Sequence, residues 1–401
     1  MRAGAVLQRC LSIAFDGMHG LRRQTLLLAV EALVMGRRLV LIDLARSWPG
    51  ALRVRAPLKR LDRLLGNPRL HAERERIYGG MVQWLIRGPQ PVILVDWCQL
   101  KGNGRWHLLR AAVPVGGRSL TLLDMVFPQR LQGSPKAEKQ FLQALKRILP
   151  PDSHPILVAD AGYRAPWCRV VEKMGWHWLV RLRHRTLVKP LTMPDETDEW
   201  LACRALYDLA TNQPRDLGLF ELVRSAPLTV RLIVHAKPPK GRHLKTYAGD
   251  VARRKSSRDN ARREREPWLL VMSPTLSVTA AQAVALYARR MQIELSFRDL
   301  KSHRFGEAFE DSLTRLRERI EILLLLHVLA VFAAWLTGLM AERDGVMDRL
   351  TPYRSTRKLY STPRLGWEAL TRRWIIGATE RWLMQLRDPP DEVLANMMFT
   401  A

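Results

Sequence analysis

Tyr287, Arg290, Glu294, Arg298 and Lys301, in the run YARRMQIELSFRDLK (287–301), are spaced so that a single helix would gather them. At 100° per residue they fall within an arc of roughly 80°. One carboxylate, three cations and a phenol then share a face, a set suited to holding a metal ion against a polyanion. Leu286, Ile293, Phe297 and Leu300 form an adjacent apolar stripe that can anchor the helix. The same residues also suit a solvated face laced with ion pairs worth roughly a few tenths of a kcal/mol each. The rest of the chain decides between the two.

Two aspartates are placed to join Glu294. Asp96 lies in PVILVDWCQL (91–100), where Val92, Leu94, Asp96 and Cys98 share one face of a strand. Asp160 ends the β-branched run of HPILVADAGY (154–163). Three carboxylates at one spot ionise together only if cations neutralise them. Oxygen ligands without Cys or His select hard ions, Mg²⁺ or Mn²⁺. Two such ions roughly 3.5–4 Å apart serve in-line phosphoryl displacement.

The elements that would carry these residues read as a mixed α/β fold. Asn103-Gly104 between apolar runs signals a hairpin into WHLLRAAVPV (106–115), and Gly116-Gly117 a turn into SLTLLDMVF (119–127). A helix opened by Ser134 and Pro135 follows (134–149), then the strand of Asp160, a helix over 165–175 and a strand over 176–183. The spacing then predicts strands at 217–225, 228–236 and 267–274. Between Lys237 and Arg265 there are eleven Lys or Arg residues without apolar periodicity, which reads as a mobile loop tracking phosphates. One long helix is expected over 277–303. Upstream, in PLKRLDRLLGNPRLHAE (57–73), Leu58, Leu61, Leu64 and Leu65 take helical spacing with Lys59, Arg60 and Arg63 off their stripe. Gly66-Asn67-Pro68 ends that helix. A helix–turn–helix-like unit docking on DNA and a plain basic surface helix both fit these residues.

Composition narrows the partner. Sixty-five Lys and Arg against 38 Asp and Glu give a net charge of +27, an excess that a polyanion neutralises. Nucleic acid leads, ahead of an anionic membrane or a structural RNA role. Cys10, Cys98, Cys168 and Cys203 are scattered and form no zinc or disulfide pattern, as in a reducing cytoplasm. The interrupted apolar stretch near the N-terminus reads against a signal peptide. Ile322 to Met340 is as long as a minimal membrane span, but its solitude and charged upstream neighbour favour a buried core helix, with no membrane partner.

Taken together the motifs resemble the bacterial cut-and-paste insertion-sequence transposases that carry a DDE triad and a YREK motif. Tyr287, Arg290, Glu294 and Lys301 match the spacing of the latter. VDW with Asp96, DAGY with Asp160 and KRLDRLLGN (59–67) are similar to other blocks of that family, in the same order. The second block departs mildly from the DRGF-like form, without touching the aspartate. The resemblance implies an RNase H-like core interrupted by a β-rich insertion. On that fold the strands of Asp96 and Asp160 are neighbours, and Asp96, Asp160 and Glu294 would hold two Mg²⁺. Tyr287, Arg290 and Lys301 would grip the phosphates of the transposon end, joined by Arg298 from the same expected helix face, and Trp268 would stabilise a base flipped out during hairpin formation.

The implied organisation is a helical DNA-end-binding domain (1–90, with Lys59, Arg60 and Arg63), a first part of the core (91–183), the insertion (184–274), a second part of the core (275–342) and a helical C-terminal region (343–401). The C-terminal region matches no motif, and a dimerisation role there rests on analogy. Expected partners are terminal inverted repeats, target DNA and a second copy of the chain in a synaptic complex, in a bacterial, nucleoid-associated cytoplasmic setting. The alternatives are an RNase H-like nuclease or resolvase that cuts without joining, and a non-catalytic DNA-binding derivative.

Overall fold

Two glycine turns fold the first apolar strands into a meander. Gly116 and Gly117 both take positive φ, +69° and +87°, as a two-residue turn of the primed type requires, and Val115 N–H donates to Arg118 O across it at 2.7 Å. In the computed structural model, residues 1–183, 186–191, 199–237, 250–304, 306–350 and 358–374 are described, without the side chains of 260–264. The chain divides into two compact units, residues 1–155 with those from 291 onward, and residues 156–290.

The first unit opens with helices α1 (Ala3–Cys10), α2 (Ser12–Phe15), α3 (Gly20–Gly36), α4 (Leu41–Arg46), α5 (Arg55–Leu65) and α6 (Pro68–Leu85). Helix α5 buries Leu61, Leu64 and Leu65 and exposes Lys59, Arg60 and Arg63, as the spacing dictates. It stops at Gly66, and Asn67 caps α6 by accepting from Leu70 N at 3.0 Å, with Pro68 in the first turn. Strands β1 (Val92–Gln99), β2 (Trp106–Pro114) and β3 (Ser119–Pro128) pair antiparallel in the order of the chain. Helix α7 (Pro135–Ile148) follows, capped by Ser134.

The second unit starts with β4 (Ile156–Ala159), α8 (Ala165–Lys173) and β5 (His177–Leu182), the two strands parallel. Strands β6 (Leu187–Pro190), β7 (Leu201–Ala202), β8 (Arg215–Leu222) and β9 (Leu228–His235), helix α9 (Lys255–Arg265), strand β10 (Trp268–Met272) and helix α10 (Ala280–Ala288) complete it. Its sheet runs β4-β5-β10-β9-β8-β6-β7, with every pair after β4–β5 antiparallel. The succession β-β-β-α-β-α-β in a mixed α/β fold is the one expected of an RNase H-like core.

Back in the first unit lie α11 (Met291–Lys301), α12 (Arg317–Arg343) and α13 (Thr362–Thr371). Helix α12 is long and apolar enough to cross a membrane, yet 94% of its apolar window is buried inside the protein. It is the core helix the sequence called for, packed against α1, α3, α5, α6, β3 and α13. Its approach to α13 depends on glycine. A Cβ on Gly338 would sit 1.9 Å from Thr362 O, and one on Gly366 would sit 1.7 Å from Ala334 O.

Two expectations are corrected. Residues 277–303 are not one helix. Thr279 closes a capping box with Gln282 at the start of α10, and the helix ends at Ala288. There Arg289 N and Arg290 N bond to carbonyls three residues back, Leu286 O and Tyr287 O, instead of four. The segments on either side serve different cores: α10 packs on β4, β5 and β9, and α11 on β1, β2 and β3. The single wheel carrying Tyr287 to Lys301 therefore does not exist as drawn. The basic run is also no continuous loop, since Lys255–Arg265 forms α9. Helix-favouring Arg, Lys, Glu and Ala side chains suffice there without an apolar stripe. Lys240, Arg242 and Lys245, the side chains of Arg262 and Arg263, and the tail with Trp382 lie outside the described residues.

Candidate active site

On β1 the alternation of side chains puts Asp96 on the face that α11 covers. Asp96 is 9% exposed and accepts a hydrogen bond from Trp97 N at 2.8 Å. Register places it directly opposite Arg110, and Arg110 directly opposite Asp124. Cross-strand partners project to one side of a sheet, so Asp96, Arg110 and Asp124 form a row. Arg110 is wholly buried and bonds Asp124 with both Nε and Nη2, at 2.8 and 2.7 Å. Its remaining Nη1 donates to Ser296 Oγ on α11 at 3.1 Å, and the ring of Phe297 lies 5.2 Å from the guanidinium carbon. Burial alone would lower the pKa of Arg110, but the charge and hydrogen bonds of Asp124 override it and raise it.

Helix α11 also carries Glu294, which is half-buried. Lys301, seven residues later and so within roughly 20° of it on the helix, reaches β1. Its Nζ donates to Gln99 O at 3.0 Å, lies 3.8 Å from Cys98 Sγ and pairs with Glu310 at 3.5 Å. Glu294 thus stands on the edge of α11 that borders the strand of Asp96. Arg298 is exposed and pairs with Asp299 at 3.6 Å.

The second unit holds a different group. Asp160 follows the last residue of β4, and its Oδ1 accepts from Gly162 N at 2.7 Å. Tyr287, on α10, is 5% exposed. Burial pushes its phenol pKa up against the opposing charges of Arg290 and Arg181; Asp160 adds to the rise and Arg183 opposes it. The phenol therefore stays protonated and can donate a hydrogen bond. Arg290 lies 5.8 Å from the Tyr287 ring centre. Trp268 heads β10, opposite His235 in the ladder, and meets Tyr287 edge-on with ring centres 4.9 Å apart. Lys237 Nζ sits 3.6 Å above the Trp268 ring.

The structure thus divides the expected residues between the two units. Asp96, Glu294, Arg298 and Lys301 belong to the first unit, together with the exposed Lys59, Arg60 and Arg63 on α5. Asp160, Trp268, Tyr287 and Arg290 belong to the second. Among the described residues, no three His, Cys, Asp or Glu side chains stand close enough to chelate a metal by themselves. The donor chemistry of the first unit nonetheless suits a hard divalent ion. Cys98 is two residues from Asp96 on the same face, and burial raises its thiol pKa, so it offers no competing thiolate. Sequence reasoning missed Arg110 and Asp124. The signal was present, since each is a lone charge in the middle of an otherwise apolar strand.

A family model described as Transposase DDE domain matches residues 87–332, a span that includes Asp96, Asp160 and Glu294. Comparison with curated proteins gives no match.

Proposed function

Because the chain belongs to the transposase DDE-domain family, whose members are DNA-binding, metal-dependent phosphoryl-transfer enzymes, we propose that it moves an insertion sequence by a cut-and-paste route. Asp96, Asp160 and Glu294 are the metal ligands in this reading. The observation that supports it is the packing of α11, the helix of Glu294, on β1, the strand of Asp96, within the matched span.

The family uses divalent metals, and we assign two Mg²⁺ ions, replaceable by Mn²⁺, to the three carboxylates. Bound there, the ions would lower the pKa of the attacking water or hydroxyl and offset charge on the leaving oxygen. Lys301 and Arg298 at one end of α11, and Tyr287 and Arg290 at the end of α10, hold phosphates of the element's end. Tyr287 contributes an O–H donor and the others contribute charge. Lys59, Arg60 and Arg63 contact the terminal inverted repeat from the exposed face of α5. Water attack nicks one strand, the freed 3′-hydroxyl attacks the opposite strand to give a hairpin, and hydrolysis of the hairpin exposes a 3′-hydroxyl that attacks target DNA. Each step exchanges one P–O bond for another, so one site serves all of them.

In this scheme residues 1–90 recognise the end, 91–183 and 275–342 form the catalytic core, and 184–274 form the insertion that presents Trp268 to a flipped base. Residues 343–401 support pairing of two copies, and the protein works at the nucleoid. The bacterial insertion-sequence origin and the YREK assignment belong to this proposal.

Incubating the protein with Mg²⁺, a duplex end and a plasmid tests it. Covalent joining of end to plasmid is expected. Cleavage without joint products would point to a nuclease or resolvase, and a mobility shift without any cleavage to a non-catalytic derivative.

A further inference from the structure

The first unit holds a half-open cavity of about 410 Å³ between α11, α12, the start of β3 and the segment leading into α13. Neither Asp96 nor Glu294 lines it, and of the residues assigned above to DNA it shares Arg298 alone. We propose that this cavity is a second anion site, which binds the phosphate ester of a nucleotide.

The charge on its lining favours an anion. Arg37 and Arg364 both bond a single oxygen, Glu368 Oε1, at 3.0 and 2.9 Å, while Arg372 takes Oε2 at 3.3 Å. Arg118 and Arg298 likewise share Asp299, at 2.8 and 3.6 Å. The fifth arginine of the lining, Arg110, is committed to Asp124. Glu307, the other acid on the lining, is bound by His327 Nδ1 at 2.8 Å. Even with Glu307 at full charge, the five arginines exceed the four carboxylates that meet them or face the cavity. Arg37, Arg118, Arg298 and Arg364 keep 27–52% of their side chains exposed, so solvent screens part of their mutual repulsion and a bound anion relieves the rest. At Arg37 burial and then the charge of Arg364 lower the pKa, against Glu368 and Glu307, which raise it.

Size and chemistry then specify the anion. The cavity falls in the range of small-molecule sites, roughly 300–1,000 Å³, and offers more room than a bare phosphate fills. Hydroxyls of Thr121 and Ser361 line it and can bond phosphate or sugar oxygens, while that of Ser119, which donates to Gln292 O at 3.3 Å, can still accept from a sugar hydroxyl. Trp367, Tyr360 and Pro363 give the apolar wall that a base requires. The phosphate ester could belong to a free nucleotide or to the end of a DNA strand.

Calorimetric titration of the full chain separates these sources. The probes are dAMP, deoxyadenosine, and a short single strand with or without a 5′-phosphate. They are tested on the wild type, Arg364→Gln, and Lys173→Gln as an exposed control on α8. Saturable binding of dAMP but not deoxyadenosine is expected. It should be unchanged in the control and weakened roughly tenfold in Arg364→Gln, the loss of one charge-assisted hydrogen bond. Binding of the 5′-phosphorylated strand alone, with the same dependence on Arg364, would assign the site to DNA ends. Glu368→Gln, which removes negative charge, should tighten whichever ligand binds. Equal affinity in wild type and Arg364→Gln, or no phosphate-dependent binding at all, would overturn the proposal.

Discussion

Arg110 stands opposite Asp96 in the β1–β2 ladder, but its two-pronged ion pair is with Asp124 on β3. The acid proposed as metal ligand is thus held beside a guanidinium whose charge is already matched. The row fixes the strand face on which Asp96 sits and tethers α11 to it through Ser296.

Breaking the pair should be costly. Arg110 and Asp124 are 0% and 1% exposed, so Asp124→Asn leaves a buried cation without its counter-charge. A loss of about 3–5 kcal/mol is expected by urea denaturation. The double replacement Arg110→Met with Asp124→Leu should recover most of it. A double variant as unstable as the single one would show that the row is held by something other than this pair.

Asp96→Asn and Glu294→Gln should each reduce Mg²⁺-dependent strand cleavage by roughly 10³-fold or more, several kcal/mol of barrier. Binding of DNA ends should persist in both. Gel assays of cleavage and of mobility on the same substrate read the two effects separately. Undiminished cleavage by either variant removes that residue from the metal set.

Trp268 carries Lys237 on its face, a place that a stacked base would take over. Trp268→Ala should weaken binding of an end with an unpaired base by about 1–3 kcal/mol and leave a fully paired end unaffected. A base seated there moves Lys237 toward the phosphates of the strand. Lys237→Ala should therefore reduce the salt dependence of binding by about one phosphate contact. Equal losses on paired and unpaired ends would mean that Trp268 serves the fold alone.

Glu321 ties α12 to its neighbours. It accepts from Val126 N at 3.0 Å and lies 2.7 Å from both His71 and Arg74. Burial opposes its charge, but the His71 hydrogen bond and the charges of Arg74 and Arg317 hold its pKa below the usual carboxylate range. A depressed carboxylate stabilises the fold above the unfolded value, about 4.3, and that contribution is lost as pH falls through the lower folded value. Glu321→Gln should lower the neutral-pH melting temperature and flatten its fall below about pH 4.3. An identical acid slope in both proteins would place the acid sensitivity elsewhere.

Much of this was legible in the chain. Glycine pairs and alternating apolar residues located β1 to β3, and Pro with a capping Ser located α7, because those signals are local. Asp96 was visible as an acid in an apolar strand. The break at Arg289–Arg290 was hidden, since Ala288 to Met291 contains no Gly or Pro and the cause is tertiary: α10 and α11 answer to different sheets. Helix α9 was hidden for the opposite reason, because its charged residues form no stripe from which periodicity could be read. The Arg110–Asp124 pairing depends on register across two turns, which spacing along one strand does not contain.

The position of α12 bears on how the polypeptide is made. Helices α1, α3, α5 and α6 leave the ribosome long before Arg317–Arg343, on which all four pack. At roughly 5–20 residues per second, the interval is about fifteen seconds to a minute. Through that time Leu7, Leu26, Leu33 and Leu61, fully covered in the finished protein, lack the helix that completes their core. A nascent chain stalled short of α12 presents greasy, unassembled helices to chaperones and proteases. The amino-terminal helices expressed by themselves will not accumulate as a folded protein.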